Sequence, residues 1–120
     1  MTDRSIEEIF QQGIDLFNDG RFFEFHEAWE QAWLRSSGDE KLFYQGMIQA
    51  AVAILHAQRG NLDGARTLWS KARDKLRPLP ADYKEIALGE LRGCLEVFFD
   101  RVLRVKNRPD HTPKIERVTA

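Results

Sequence analysis

The chain has 120 residues, 42% hydrophobic and 31% charged, enough for one hydrophobic core without staples. A net charge of −1 argues against a simple nucleic-acid binder, and no stretch nears the roughly 18 apolar residues of a membrane span. The lone Cys94 excludes a disulfide framework within the chain, and MTDRSIEEIF has no apolar leader core, so a cytoplasmic protein is expected.

Helical periodicity runs through nearly the whole chain, with no convincing period-2 alternation. The first helix is predicted from Ser5 to Phe17, with Ser5 as N-cap and Glu8 completing a capping box; Asn18-Asp19-Gly20 stops it. The second runs from Phe22 to Arg35 and ends at Ser36-Ser37-Gly38. Asp39 caps the third, which continues to Arg59 and breaks at Gly60-Asn61. The fourth starts at Leu62 with a stripe of Leu62, Ala65, Trp69, Ala72 and Leu76, and Pro78 and Pro80 end it. The fifth is predicted from Asp82 to Val105 on a stripe of Ala87, Leu91, Cys94, Phe98, Val102 and Val105, which makes Cys94 a buried structural thiol. Gly89 and Gly93 on that helix mark a close approach to a neighbour. Residues 1–106 then form a single helical domain and 107–120 a C-terminal tail, which Ile115 and Val118 could pin to the body.

Short connections make neighbouring helices antiparallel, so the expected fold is all-α: a compact stack of about five helices with helical-hairpin, tetratricopeptide-like character. A faint internal echo supports the hairpins, since Gly20, Trp29 and Ala32 recur as Gly60, Trp69 and Ala72. Charge is uneven along the chain. Residues 1–60 balance at −5 and residues 61–120 at +4, which suits complementary packing, a solvated surface, or a basic face on the last two helices that meets an acidic partner or nucleic acid. The run Lys71, Arg73, Lys75 and Arg77 reads as a wet helix face, and Trp29, Trp33 and Trp69 read as core.

The candidate site is polar residues on apolar helices. At about 100° per residue, His26 falls inside the Phe22–Trp29–Trp33 sector of the second helix, with Glu30 one turn on and Glu27 on a half-exposed flank. The third helix is apolar nearly all round, yet Gln45, Gln49 and His56 align on it. An amide or imidazole buried unpaired costs roughly 1–3 kcal/mol, so these six side chains are expected to meet between the second and third helices, with Gly46 permitting close approach.

The segments FNDGRFFEFHEAWE, YQGMIQAAVAILH and RGNLDGA, spread between Phe17 and Ala72, resemble the signature of domain-of-unknown-function family 309. The resemblance implies a small all-α prokaryotic or plastid protein with no established activity, and it assigns no role to His26 or His56.

Four readings of the cluster follow from the residues. It can be a hydrogen-bonded network that fixes helix pairing, with no cofactor. His26, Glu30 and His56 can ligate zinc or iron with an open position for hydrolysis, although HEAWE lacks the second histidine of H-E-x-x-H. Glu30 can tune His26 for acid–base work or for a small ligand. Finally, the chain can be an interaction module, binding a protein partner or a second copy through its hairpin grooves or its basic face. A binding or structural module is favoured over an enzyme.

Overall fold

The computed structural model describes residues 4–105 and 111–118; the boundary expected at residue 106 lies outside them. Five α-helices form the body: α1 (Ile6–Asn18), α2 (Phe22–Leu34), α3 (Gly38–Gln58), α4 (Leu62–Leu76) and α5 (Leu88–Val105). The all-α expectation holds. Ser5 caps α1 as predicted: its Oγ accepts from the Glu8 N–H at 3.1 Å and donates to the Glu8 carboxylate at 3.0 Å. The start of α3 falls two residues earlier than predicted, with Ser37 and not Asp39 at the N-cap.

The internal echo is structural. Gly20 (φ +77°) and Gly60 (φ +81°) both adopt the left-handed conformation that closes a helix. The N–H of Gly20 donates to Phe17 O and that of Arg21 to Leu16 O; forty residues on, Gly60 donates to Ala57 O and Asn61 to His56 O. The same turn is thus built twice, and each sends the chain back antiparallel, pairing α1 with α2 and α3 with α4. The central α3 packs against both α2 and α4.

The core is aromatic on one side. Phe10, Phe17, Phe22, Phe25, Trp29, Phe43 and Tyr44 are buried among α1, α2 and α3, and Trp29 lies over Gly13, where any Cβ would collide with its indole. The α3–α4 seam is tight for a different reason. A Cβ at Gly46 would come within 2.9 Å of Leu76 Cδ2, so the close approach that Gly46 permits is to α4, not to α2.

Three expectations on the C-terminal third need correcting. The helix predicted from Asp82 begins at Leu88, after a 3₁₀ turn (Tyr83–Glu85) in which Lys84 (φ +53°) and Glu85 (φ +61°) are left-handed. The cause is the tail. Ala87 N–H donates to Glu116 O at 2.7 Å and Val118 N–H to Glu85 O at 2.8 Å, so the chain turns extended at Ile86 and pairs with 116–118 around an isolated bridge between Ile86 and Arg117. Ile115 is buried, and the Asn18 amide brackets it, donating to its carbonyl at 2.8 Å and accepting from its N–H at 2.6 Å. Val118 joins through its backbone while its side chain stays exposed.

Cys94 is exposed, because the buried stripe of α5 runs through Leu88, Leu91, Leu95, Phe98, Phe99 and Val102 and leaves Cys94 beside it. Of the two glycines on α5, Gly89 approaches Ala81 of the preceding loop at 2.9 Å, while a Cβ on Gly93 would meet nothing. Among the described residues no helix is long and apolar enough to cross a membrane.

Candidate functional site

The six predicted polar residues do not gather into one buried cluster, and none of them is fully buried. His26 is half-buried on α2 and meets the edge of Phe23 on its own helix, ring centroids 6.5 Å apart; Glu27 and Glu30 are exposed. On α3, Gln45 is half-buried, and the other two turn towards α4. Gln49 Oε1 accepts from Lys75 Nζ at 2.8 Å. His56 Nδ1 accepts from Asn61 Nδ2 at 3.0 Å, because Asn61 Oδ1 is already taken by the Gly64 N–H at the start of α4. His56 therefore braces an N-cap.

The physical reason is that α3 has two partners, and a helix apolar nearly all round does not reveal which one its polar line faces. Among the described residues no three His, Cys, Asp or Glu side chains converge in a way that could hold a metal ion, so His26, Glu30 and His56 are not brought together as a ligand set.

The opening lies elsewhere. Between α4 and α5 is a cleft of about 200 Å³ lined by Trp69, Arg73, Arg77, Arg92, Gly93 and Glu96. Trp69 supplies its floor, braced from behind by Phe99, with ring centroids 4.8 Å apart and planes within 15°. The bare backbone of Gly93 leaves the α5 wall open. Three guanidinium groups surround this floor and differ in how they are held. Arg92 donates to the carbonyls of Leu76 (2.7 Å), Arg77 (3.2 Å) and Leu79 (2.7 Å), satisfying orphan acceptors at the end of α4. That fixes its charge in the wall.

Arg73 reaches Glu96 through a single contact of 3.4 Å, with both side chains partly exposed (39% and 47%), a pair worth little on its own. Its Nε is sealed from solvent and has no acceptor among the described residues. Arg77, one helical turn on from Arg73, is exposed. The cleft thus sets three positive charges against the one negative charge of Glu96.

Sequence reasoning placed Arg73 and Arg77 on a wet helix face and did not connect them with Arg92, Gly93 or Glu96. The available signal was the i, i+4 arginine pair opposite a glycine in mid-helix, a residue that costs helix stability without a turn to justify it. Lys75, counted in the same run, belongs instead to the α3 seam through Gln49.

A second corner is polar but closed. Tyr44 is fully buried, and its hydroxyl has no hydrogen-bond partner among the described residues. Burial first, then the nearby Glu40, Tyr83 and Glu7, pushes this phenol well above its ordinary value. Lys84 Nζ sits 3.7 Å from Glu40 and 5.5 Å from the centroid of Phe10, and Arg117 spans Glu7 (3.5 Å) and Glu85 (3.9 Å). Lys84 and Arg117 are each paired with carboxylates there, so this corner fastens the tail, and its unpartnered Tyr44 hydroxyl and Arg117 Nη1 are sealed from solvent.

Comparison with known proteins agrees with the fold and carries no activity. A 90-residue stretch is 30% identical to an uncharacterized protein of Aquifex aeolicus (strain VF5); it covers 74% of this chain but only 27% of that relative. The chain therefore spans about a quarter of the relative's length. The model of the family described as "Domain of unknown function (DUF309)" matches residues 10–68, from the middle of α1 into α4, and over those residues the chain belongs to that family.

Proposed function

We propose that the protein is a binding module whose working surface is the α4–α5 cleft, and that its partner is a polypeptide segment carrying acidic side chains. One observation carries this reading: Arg73, Arg77 and Arg92 surround an open aromatic floor with only Glu96 to balance them. Arginines around an aromatic floor are the residue types that anchor interfaces, because a planar guanidinium recognises carboxylates in a fork and sheds water readily. The surplus positive charge of residues 61–120 adds steering towards an acidic partner.

The test is a titration of ¹⁵N-labelled protein with a short glutamate-rich peptide, followed by amide chemical shifts. Shifts confined to α4 and α5 are expected, with binding weakened by about ten-fold or more in Arg73→Glu/Arg77→Glu and by added salt, while thermal stability stays near that of the parent. Shifts centred on α1 and α2, or binding indifferent to the double charge reversal, would refute it.

A further inference from the structure

Given the cleft as the working surface, we infer that the group seated in it is a phosphomonoester carried on the partner polypeptide, gripped by Arg73 and Arg77, and that Glu96 stands in for it in the unbound protein. The geometry around Arg73 points this way. A well-used arginine presents two parallel N–H donors to one carboxylate. Arg73 instead offers Glu96 one Nη1 at 3.4 Å and keeps its Nε sealed, without an acceptor among the described residues. Glu96 balances the site without satisfying it.

Which anion would do better than Glu96 follows from charge. A carboxylate from a partner brings one negative charge, the same as Glu96, and must compete with a group tethered beside Arg73 at high effective concentration. A phosphodiester is also a monoanion and meets the same obstacle. A phosphomonoester carries close to two negative charges at neutral pH and three acceptor oxygens. It can take the terminal nitrogens of Arg73, which hold Glu96 by one long contact, and the guanidinium of Arg77 together, against the fixed charge of Arg92, while Glu96 turns out to solvent. The floor formed by Trp69 and Gly93 receives the methylene that carries the phosphate, and about 200 Å³ admits both. The cleft then distinguishes a phosphorylated segment from one that is merely acidic. Its own glutamate sets the threshold.

The experiment compares three probes by calorimetry on the full chain: an acidic peptide with one phosphoserine, the same peptide with glutamate in that place, and a single-stranded oligonucleotide of matched charge. The phosphopeptide is expected to bind about ten-fold tighter than its glutamate counterpart. Glu96→Gln should tighten both peptides, the phosphopeptide at least as much as its glutamate counterpart. Arg73→Gln should erase the preference, and so should Gly93→Leu, which fills the cleft from a position with open space around it and leaves the fold intact. Equal or weaker binding of the phosphopeptide, or a preference that survives Gly93→Leu, overturns the inference. If the glutamate peptide still binds α4 and α5 in an Arg73/Arg77-dependent way, the acidic-partner reading stands without it. If no peptide perturbs those helices, both fall. Tighter binding of the oligonucleotide overturns the phosphomonoester assignment.

Discussion

Trp29 and Trp69 occupy the same place in two copies of one helical hairpin, each nine residues after a left-handed glycine and three before a buried alanine. Their surroundings are opposite. Trp29 is walled in by Phe10, Phe25, Phe43 and Tyr44, lies flat on Gly13, and donates its indole N–H to Phe10 O at 3.3 Å. Trp69 stacks on Phe99 alone and turns its other side to the cleft. The first hairpin is closed by α3 and an aromatic core; in the second, the Trp69 side of α4 is covered by α5, which leaves a gap at Gly93. A duplicated unit can thus be enclosed on every side in one copy and border a cleft in the other.

The contrast can be broken most decisively at Trp29. Trp29→Ala removes the centre of the closed side and is expected to cost about 3–5 kcal/mol by chemical denaturation, more than Trp69→Ala. A larger loss at Trp69 would reverse the assignment of the two sides. Next comes Gly13→Ala, whose new methyl must displace the Trp29 indole, for a loss of about 1–3 kcal/mol read as a lower denaturation midpoint.

Alkaline titration probes the closed side differently. The raised phenol of Tyr44 keeps its proton in the folded chain after the unfolded chain has lost it, near pH 10. Stability is therefore unaffected at neutral pH and falls as pH climbs above about 10, by at most about 1.4 kcal/mol per unit. Tyr44→Phe should flatten that decline and, since the hydroxyl has no partner, leave neutral stability nearly unchanged. The smallest effect is a gain. Gly93→Ala on the exposed face of α5 should stabilise by about 0.5–1 kcal/mol, with thermal melting as the measure, because its methyl touches nothing. A loss there would mean that the cleft is packed more tightly than the structure shows.

The helices themselves were legible because their signals are local: the Ser5–Glu8 capping box, the two Gly turns, and the four- and seven-residue spacing of Ala65, Trp69 and Leu76. What escaped was long-range. Nothing near Lys84 announces that residues 116–118 will hold it left-handed, so α5 was started too early. Cys94 and Leu95 lie about 100° apart on the wheel, and the buried stripe of α5 is centred on Leu95, which leaves Cys94 outside it. His26 lies close to the apolar sector in angle, yet the core closes over Phe25 and Trp29 and leaves the imidazole at its margin. Gln49 and His56 were correctly singled out as needing partners, but Lys75 and Asn61, which supply them, belong to the helix on the other side of α3. The cleft joins residues of α4 to residues about twenty positions later, with no shared motif to connect them.

The tail has one more consequence. Arg117 reaches Glu7 at 3.5 Å, so the tail residue that bridges to Ile86 also touches the first turn of α1. A folded unit whose incoming and outgoing strands adjoin can be spliced into the loop of a larger protein without prying that loop open. A host chain would carry this unit as a side branch, with its arginine cleft facing outward and its own backbone path almost uninterrupted.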